Sequence, residues 1–403
     1  MKSFLKGESP QAIAKTAAPI LPVHVVDPSL FTLPYDLALV AALRRAGLAA
    51  ALVGRPLRPG ELTPDVPFHP LCFRRLDGAP RRFGALGSAL KAVEHLGNWL
   101  ALDRLGSGVL HLQWLPFPLA DAVALRLRRR RGPVVVTVHD TTPFNGAPSH
   151  PLQARGFRVA LGAADRLIVH TAEGRRRLVD RGLPAERIAV VPHGPLDGAG
   201  PCSRPAPGAR FVVVAFGKMR PYKGLDLLVD ALARLDAPAR AGLRVILAGE
   251  PLIDLAPLRF RIAAAGLAGT VEIVPRRLDA AETRALLGAA DAFVFPYREI
   301  EASGVLYLVQ GLGRWLIASR LGAFAEAIED GRSGRLVPPG DPEALAAALR
   351  EAATLRPRPL AAPRVTGWDE IAAATAAVYA AAGRARAAGA PGDGDGALVP
   401  AAR

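Results

Sequence analysis

FGKMRPYKGLDLLVDAL, residues 216–232, decides how this chain is to be read. It follows the apolar run RFVVVAF (210–216) and leads into Leu225, Leu228, Val229, Leu232 and Leu235, spaced as on an amphipathic helix. The run predicts a buried strand. Between strand and helix lies GKMRPYKG, a turn holding Gly217, Lys218 and Lys223. Such a turn belongs at the carboxyl edge of a parallel sheet, where ligands of doubly wound folds sit. The helix start adds partial positive charge and unpaired N–H groups, which suit phosphate.

Lysine itself is the unusual feature. The chain has 51 Lys+Arg residues, of which only Lys2, Lys6, Lys15, Lys91, Lys218 and Lys223 are lysine. A compact ammonium on a flexible stem fits where a guanidinium fork does not, for example beside a diphosphate that carries a sugar. Each charge-assisted bond to phosphate contributes roughly 1.5–3 kcal/mol. The alternative is a solvated turn with incidental lysines. The stretch lacks the GK[ST] ending of a P-loop, which argues against ATP hydrolysis of that type.

Working outward, β-branched apolar runs recur before Ala/Leu/Arg-rich segments of helical spacing. They fall at 21–26, 49–53, 108–112, 133–138, 166–170 and 187–191, then at 210–216, 243–249, 270–274, 292–296, 315–319 and 334–338. Runs without clean alternation suit strands buried on both faces, and their alternation with helices predicts parallel βαβ units. Two series predict an α/β protein of two doubly wound, Rossmann-like domains facing across a cleft. HGPLDGAGPCSRPAPGAR (193–210) is rich in Gly and Pro, has no period, and reads as the linker. The segment from Arg384 reads as a disordered tail.

Composition sets the bounds. Length 403 favours two domains, and a hydrophobic content of 50% supplies large cores. The net charge of +15 favours anionic partners without choosing among nucleic acid, lipid and phosphorylated small molecules. Aromatics at 6% and the lack of a recognisable binding module argue against nucleic acid. Cys72 and Cys202 form no disulfide framework, which fits a reducing, cytoplasmic compartment. No run is long enough for a signal peptide or a spanning helix. The eight histidines show no metal-ligand spacing, and the one Asp-x-Asp, Asp393–Asp395, lies in the glycine-rich tail.

A second cluster, DAFVFPYREIEASGVLYLVQGLGRWLIAS, starts at Asp291. Its strand ends at Pro296, and a helix begins near Ser303, a suitable N-cap. Gly304 lets backbone approach a ligand. Glu301, just before the helix, can accept sugar hydroxyls, with the N–H groups behind it free for phosphate. The alternative is that Glu301 and Ser303 serve the helix end alone.

These residues resemble the retaining GT-B glycosyltransferases of family 4 (glycosyl transferases group 1). AFGKMRPYKGLDLLVDAL resembles the family's GR-L-x-x-x-K-G motif, VPHGPLD its segment before the linker, FVFPYREIEASGVL its donor loop, and TVHDTTPF its first-domain strand end. IASRLGAFAEAIEDGRSGRLVPPGDPEALAAAL and GWDEIAAATAAVY resemble the segments that close the fold. The resemblance implies an acceptor-binding domain over 1–193, a linker over 194–210 and a nucleotide-sugar-binding domain over 211–366. A helix over 367–383 would cross back to the first domain, leaving 384–403 as tail. It implies a nucleotide-sugar donor, a saccharide or lipid-linked acceptor, and a role in cell-surface polysaccharide or glycolipid assembly. By position, Gly217, Lys218 and Lys223 would hold the diphosphate, Glu301 the donor sugar, and Ser303, Gly304 and Val305 phosphate and sugar through their N–H groups. His139 would reach the sugar from across the cleft. Glu301, His139 and Lys223 are the catalytic expectations; Asp27, Tyr35 and Asp140 those for the acceptor.

Departures from the pattern matter. The second Glu of the family's Glu-x7-Glu pair is replaced by Val309, or by Tyr307 when counted from Glu299, with Gln310 a substitute for the ribose contact. A silent relative that only binds a nucleotide sugar or a partner is therefore the rival reading. No cofactor or metal is expected, since lysines and helix dipoles neutralise a leaving diphosphate. His24, His111 and His170 read as structural strand residues. PLADAVALRLRRRRG (118–132) joins Leu119, Val123 and Leu127 to a run of arginines. It reads either as a contact with an anionic membrane or as a surface helix whose arginines suit its C-terminal dipole.

Overall fold

The computed structural model describes residues 21–77, 79–141, 151–196, 210–354 and 365–388. The first domain holds strands β1 (Val23–Asp27), β2 (Ala50–Gly54), β3 (Phe68–Pro70), β4 (Val109–Leu112), β5 (Val134–Val138), β6 (Arg166–Val169) and β7 (Ile188–Val190). They form one sheet ordered β3-β2-β1-β4-β5-β6-β7, and every pair is parallel. The second domain holds β8 (Phe211–Phe216), β9 (Leu243–Ala248), β10 (Val271–Val274), β11 (Ala292–Phe295), β12 (Trp315–Ser319) and β13 (Gly334–Val337). Its parallel sheet is ordered β10-β9-β8-β11-β12-β13. Both are doubly wound sheets whose order reverses once, beside β1 in the first and β8 in the second.

Every run predicted as a strand is one, because each is a short, largely apolar run that can be buried on both faces of a sheet. Val213 packs into the core on one side of the second sheet and Val214 into the core on the other. The strand not anticipated is β3, whose three residues Phe-His-Pro sit half-exposed at a sheet edge and carry no alternation to read.

The last helix, Trp368–Ala387, packs on the first domain. Ile371, Val378 and Tyr379 are buried against Leu39, Val40 and Leu43 of the helix Leu33–Arg45. It continues to Ala387, so residues 384–387, expected in the tail, are helical. Asp393 and Asp395 lie outside the described residues, as do linker positions 197–209.

The two domains touch through a hub of rings and carboxylates. His193 stacks on Tyr307 at 3.8 Å between centroids and 2° between planes. The Leu196 N–H donates to the Tyr307 carbonyl at 3.0 Å, and Trp368 Nε1–H to the Pro195 carbonyl at 2.8 Å. Glu326 of the second domain accepts from the backbone N–H groups of Ala172 and Glu173, both at 3.2 Å, at the start of the helix Ala172–Asp180.

Candidate active site

The turn after β8 is built as its sequence suggests. Gly217 has φ 102, and a Cβ there would meet Lys223 Nζ and Val305 Cγ2, each at 3.0 Å. Residues Pro221–Lys223 form a single 3-10 turn, and Gly224 (φ 63) starts the helix Leu225–Ala233. A Cβ on Gly224 would stand 2.0 Å from the Pro296 carbonyl oxygen, so this turn presses directly on the end of β11. That contact brings the two clusters singled out from sequence to one switch point.

Lys223 is buried in this wedge. Its Nζ donates to the Phe216 carbonyl at 3.3 Å and lies 5.3 Å from the Tyr297 ring centroid, a cation–π contact. Burial, reinforced by the Arg220 and Lys218 charges, lowers its ammonium to about 8. No carboxylate pairs with it among the described residues. Lys218, by contrast, is exposed. It lines a cleft of about 860 Å³ between the domains, together with Arg220, Gly249, Glu250 and Arg277 on the second-domain side. The first-domain side of that cleft is formed by Ser29, Leu30, Phe31 and a network of charges. Arg55 pairs with Glu61 at 2.6 Å and with Asp77 at 3.2 Å; Lys91 pairs with Asp77 at 3.0 Å, and Arg58 also pairs with Asp77.

Across the switch point, Ser303 caps the helix Gly304–Val309 by accepting from the Leu306 N–H. Gly304 is exposed and Val305 half-exposed beside Gly217. Glu301 is buried and already engaged with the first domain. Its carboxylate accepts from the Thr141 N–H and Oγ1–H, both at 2.5 Å, and from Arg177 Nη1–H at 2.9 Å. Arg177 is in turn held by Glu173 at 2.8 Å. Glu301 thus bridges the cleft, a role that its sequence position did not suggest. Nothing marks Arg177 among the arginines of its helix, and only the fold brings it to Glu301. Val309 is fully buried and Tyr307 lies under His193, so neither presents a polar group for a ribose; Gln310 is buried in a 3-10 turn beyond them.

His139 stands at the carboxyl end of β5, stacked on Trp114 at 5.1 Å and 15°. Its Nε2 lies 2.9 Å from the Gln113 carboxamide, and its Nδ1 lies 3.1 Å from His170 Nε2. His170 Nδ1 lies 3.0 Å from the Val191 carbonyl and must donate to it. Burial holds both imidazoles below their usual range, His170 at about 4, so both are neutral at neutral pH. Neutrality then fixes the polarity. His139 Nδ1–H donates to His170 Nε2, leaving His139 Nε2 as an acceptor toward Gln113, whose carboxamide must then present its N–H to the ring. Asp140 follows at the same edge, half-buried; Thr142 lies outside the described residues.

The acceptor expectations for Asp27 and Tyr35 need correction. Asp27 is fully buried, and its carboxylate accepts from the Ser29 N–H (3.2 Å), the Thr32 N–H (2.9 Å) and Thr32 Oγ1–H (3.2 Å). Asp36, equally buried, shares a hydrogen bond with it. Tyr35 is enclosed by His139, His170, His193 and Trp368, with ring centroids 4.6–5.5 Å away. These residues brace the first-domain wall and present no exposed polar surface to the cleft. Of the structural histidines, His111 is fully buried between Tyr379 Oη and Thr137 Oγ1, each at 2.7 Å. His24 is buried, and among the described residues neither ring nitrogen has a hydrogen-bond partner.

Residues 34–194 match the model of the glycosyl transferase 4-like domain, and residues 210–354 that of the glycosyl transferases group 1. Among curated proteins, the chain is 34% identical over 243 residues to a D-inositol 3-phosphate glycosyltransferase of Geodermatophilus obscurus, covering 54% of this chain and 53% of that one. It is 30% identical over 313 residues to the protein of the same name in Streptomyces avermitilis, covering 72% and 63%. The match thus spans under two thirds of these relatives' lengths. Among solved structures, HepE of Anabaena in complex with UDP superposes with a TM-score of 0.63 at 18% identity, covering 92% of this chain and 99% of that one. Sucrose-phosphate synthase of Thermosynechococcus elongatus gives 0.62 at 18% identity, covering 91% and 100%. At that identity the likeness speaks to the fold, which is GT-B. With both halves matched and the switch-point turn built as described, the chain belongs to the group 1, family 4 type of GT-B glycosyltransferases.

Proposed function

We propose that the chain is a retaining, metal-independent glycosyltransferase that moves a sugar from a nucleotide-sugar donor to a saccharide or lipid-linked acceptor. Its place would be the cytoplasmic face of a membrane, in the assembly of a cell-surface polysaccharide or glycolipid. One observation carries the reading. On the second-domain side, Lys218, Arg220, Lys223 and Arg277 have no carboxylate partner among the described residues, whereas the cations of the opposite wall are paired. A wall left with unbalanced positive charge at a switch point, beside glycine backbone, suits a diphosphate.

The chemistry follows from that placement. The bond between the anomeric carbon and the phosphate oxygen breaks, and the leaving diphosphate gains charge that the four cations stabilise. The acceptor oxygen attacks the same face and passes its proton to the leaving phosphate, so configuration is retained. Glu301, held by Thr141 and Arg177, closes the two domains over the sugar. His139, kept neutral and held by Gln113 and His170, forms the first-domain side of the sugar site. The neighbour solved with UDP makes uridine the first base to test. The relatives' name offers a phosphorylated cyclitol as a second acceptor class. In the first-domain network, Arg55, Arg58 and Lys91 pair with Glu61 and Asp77 on the cleft wall, where such an anion would compete for the cations.

The test is thermal stabilisation by UDP-, GDP- and ADP-sugars with a chelator present, wild type beside Lys223→Ala. Stabilisation by one base, lost in the variant, is expected; equal shifts in both proteins refute the lysine assignment. Nucleoside diphosphate release with a panel of acceptors separates an enzyme from a silent relative, and the anomeric configuration of the product decides retention.

A further inference from the structure

The outer surface of the first domain carries large aliphatic side chains that the described residues leave exposed. The helix Ala79–Asp103 is kinked at Gly84 (φ 54), and beyond the kink Leu86, Leu90, Val93, Leu96 and Leu100 are 40–68% exposed. Steps of three and four residues place them on one face. The opposite face is anchored: Trp99 and Leu102 are in the core, and His95 Nε2 lies 2.5 Å from Asp121 Oδ1. Asp121 belongs to the neighbouring helix Pro118–Arg128, whose own outer face shows Leu119, Val123 and Leu127 at 57–59% exposure. Two adjacent helices thus present one apolar face. Helices that meet only water carry charge there instead.

The charges around this face have one sign. Arg126, Arg130 and Arg131 are exposed at the end of the second helix, and Arg155 and Arg158 on the adjoining helix Pro151–Gly162. The acids of these helices are otherwise engaged. Asp121 is fully buried, Glu94 accepts from the Arg75 and Leu76 N–H groups, and Asp103 is paired with Arg131. Two copies of the chain meeting on this face would set arginines against arginines, with no unengaged carboxylate on these helices among the described residues to answer them. An anionic lipid surface supplies both what the leucines and what the arginines lack. The inner side of the long helix carries Lys91, which lines the interdomain cleft, so this face is the back of the first-domain wall.

We propose that the exposed faces of Ala79–Asp103 and Pro118–Arg128 together dock the protein on an anionic bilayer. The purpose rests on the lipid-linked acceptor reading, but the docking itself is tested without any acceptor. The full chain is sedimented with vesicles of phosphatidylcholine, with and without phosphatidylglycerol. Wild type is expected in the pellet with phosphatidylglycerol and to be released by salt. Leu90→Glu/Val93→Glu is expected to lower vesicle binding by at least about tenfold, given the loss of buried apolar contact. Arg126→Glu/Arg130→Glu is expected to remove the preference for phosphatidylglycerol. Both pairs are solvent-exposed, so unchanged melting and unchanged donor-nucleotide binding serve as controls. Wild type that stays in the supernatant with both vesicles overturns the proposal. So does a concentration-dependent dimer that Leu90→Glu/Val93→Glu abolishes while vesicle binding persists, since the face would then belong to a second copy. Vesicle binding with no glycosyl transfer leaves the docking intact and refutes only the enzymatic reading.

Discussion

The two switch points of this molecule have the same architecture and opposite chemistry. At β1 the strand ends in Asp27, and the turn behind it is completed from within. A buried carboxyl pair, the Thr32 hydroxyl and three hydrogen bonds to Asp27 leave nothing for a ligand to satisfy. At β8 the strand ends in Phe216, and the turn behind it holds a buried ammonium with Lys218 and Arg220 beside it, none of them paired with a carboxylate among the described residues. A doubly wound sheet thus provides a crevice at each reversal of strand order, and the side chains decide which one remains electrically unfinished. Acid should attack the histidine junction between the domains, and rising pH the donor grip of the β8 turn.

The largest effect is expected in acid. His139, His170 and His193 sit buried at the domain junction around Tyr35, all with imidazoles held below their usual range by burial. The groups facing them are Tyr35, Trp114, Tyr307, Gln113, the Val191 and Gly194 carbonyls and one another, with no carboxylate among these partners. Unfolded histidine binds its proton near 6.5, so between there and about 4 the unfolded state holds more protons than the folded one. Stability is therefore full above about 6.5 and falls as pH drops toward about 4, by roughly 3 kcal/mol for His170 alone. Denaturant midpoints across that range measure it. His170→Asn should flatten the slope, and an unchanged slope in the variant would place the acid sensitivity elsewhere.

The second region should fail at the other end of the scale. A diphosphate prefers the ammonium form of Lys223, so donor affinity should fall as pH rises through about 8. Lys223→Met should weaken donor binding by roughly 1.5–3 kcal/mol, about 10–150-fold, and lose the alkaline dependence. Calorimetric titration with the stabilising nucleotide sugar reads both. Asp27→Asn, at the finished switch point, should leave donor affinity as it is; a matching loss there would break the distinction between the two edges.

Next comes the bridge between the regions. Glu301→Gln keeps the size but removes the charge facing Arg177, so turnover should fall by about tenfold while donor affinity changes little, as one buried charged hydrogen bond is worth about 1.5–3 kcal/mol. Thr141→Val, which removes only the hydroxyl donor, should do less. If Glu301→Gln weakens donor binding and leaves turnover intact, Glu301 is a sugar ligand first and a bridge second.

How much of this could be read beforehand follows the same division. Strand positions were legible because buried parallel strands write themselves as Val/Ile/Leu runs, and Phe-His-Pro at an edge does not. The β8 turn was legible because glycine and lysine stand out against an arginine-rich background. Its contact with the β11 end was expected only in that both loops share one sheet edge. The junction was not legible. Tyr35 and Asp27 look polar and available in sequence, and only burial shows that their partners are Trp368, the first residue of the last helix, and Thr32. Glu301 likewise meets Thr141 and Arg177 across separations of 160 and 124 residues, which no local pattern encodes.

The smallest expected effect tests the finished switch point itself. Burial raises the carboxyls of both Asp27 and Asp36, and the charge of Asp27 raises Asp36 further, while the Ser29 and Thr32 donors favour an ionised Asp27. Asp36 thus carries the shared proton. An amide at position 36 keeps a neutral group of the same shape that still donates to Asp27, so Asp36→Asn should change stability by less than about 1 kcal/mol. Asp27→Asn replaces the acceptor of three hydrogen bonds and should cost about 1–3 kcal/mol. The sign of the pH effect discriminates further. A carboxyl raised in the folded state makes stability fall as pH rises above the ordinary carboxylate range, and Asp36→Asn should remove that decline. Chemical denaturation of the two variants from mildly acidic to neutral pH reads both quantities. Equal losses in the two would mean that Asp36 is ionised, and then the β1 edge, like the β8 edge, would hold a charge awaiting a partner.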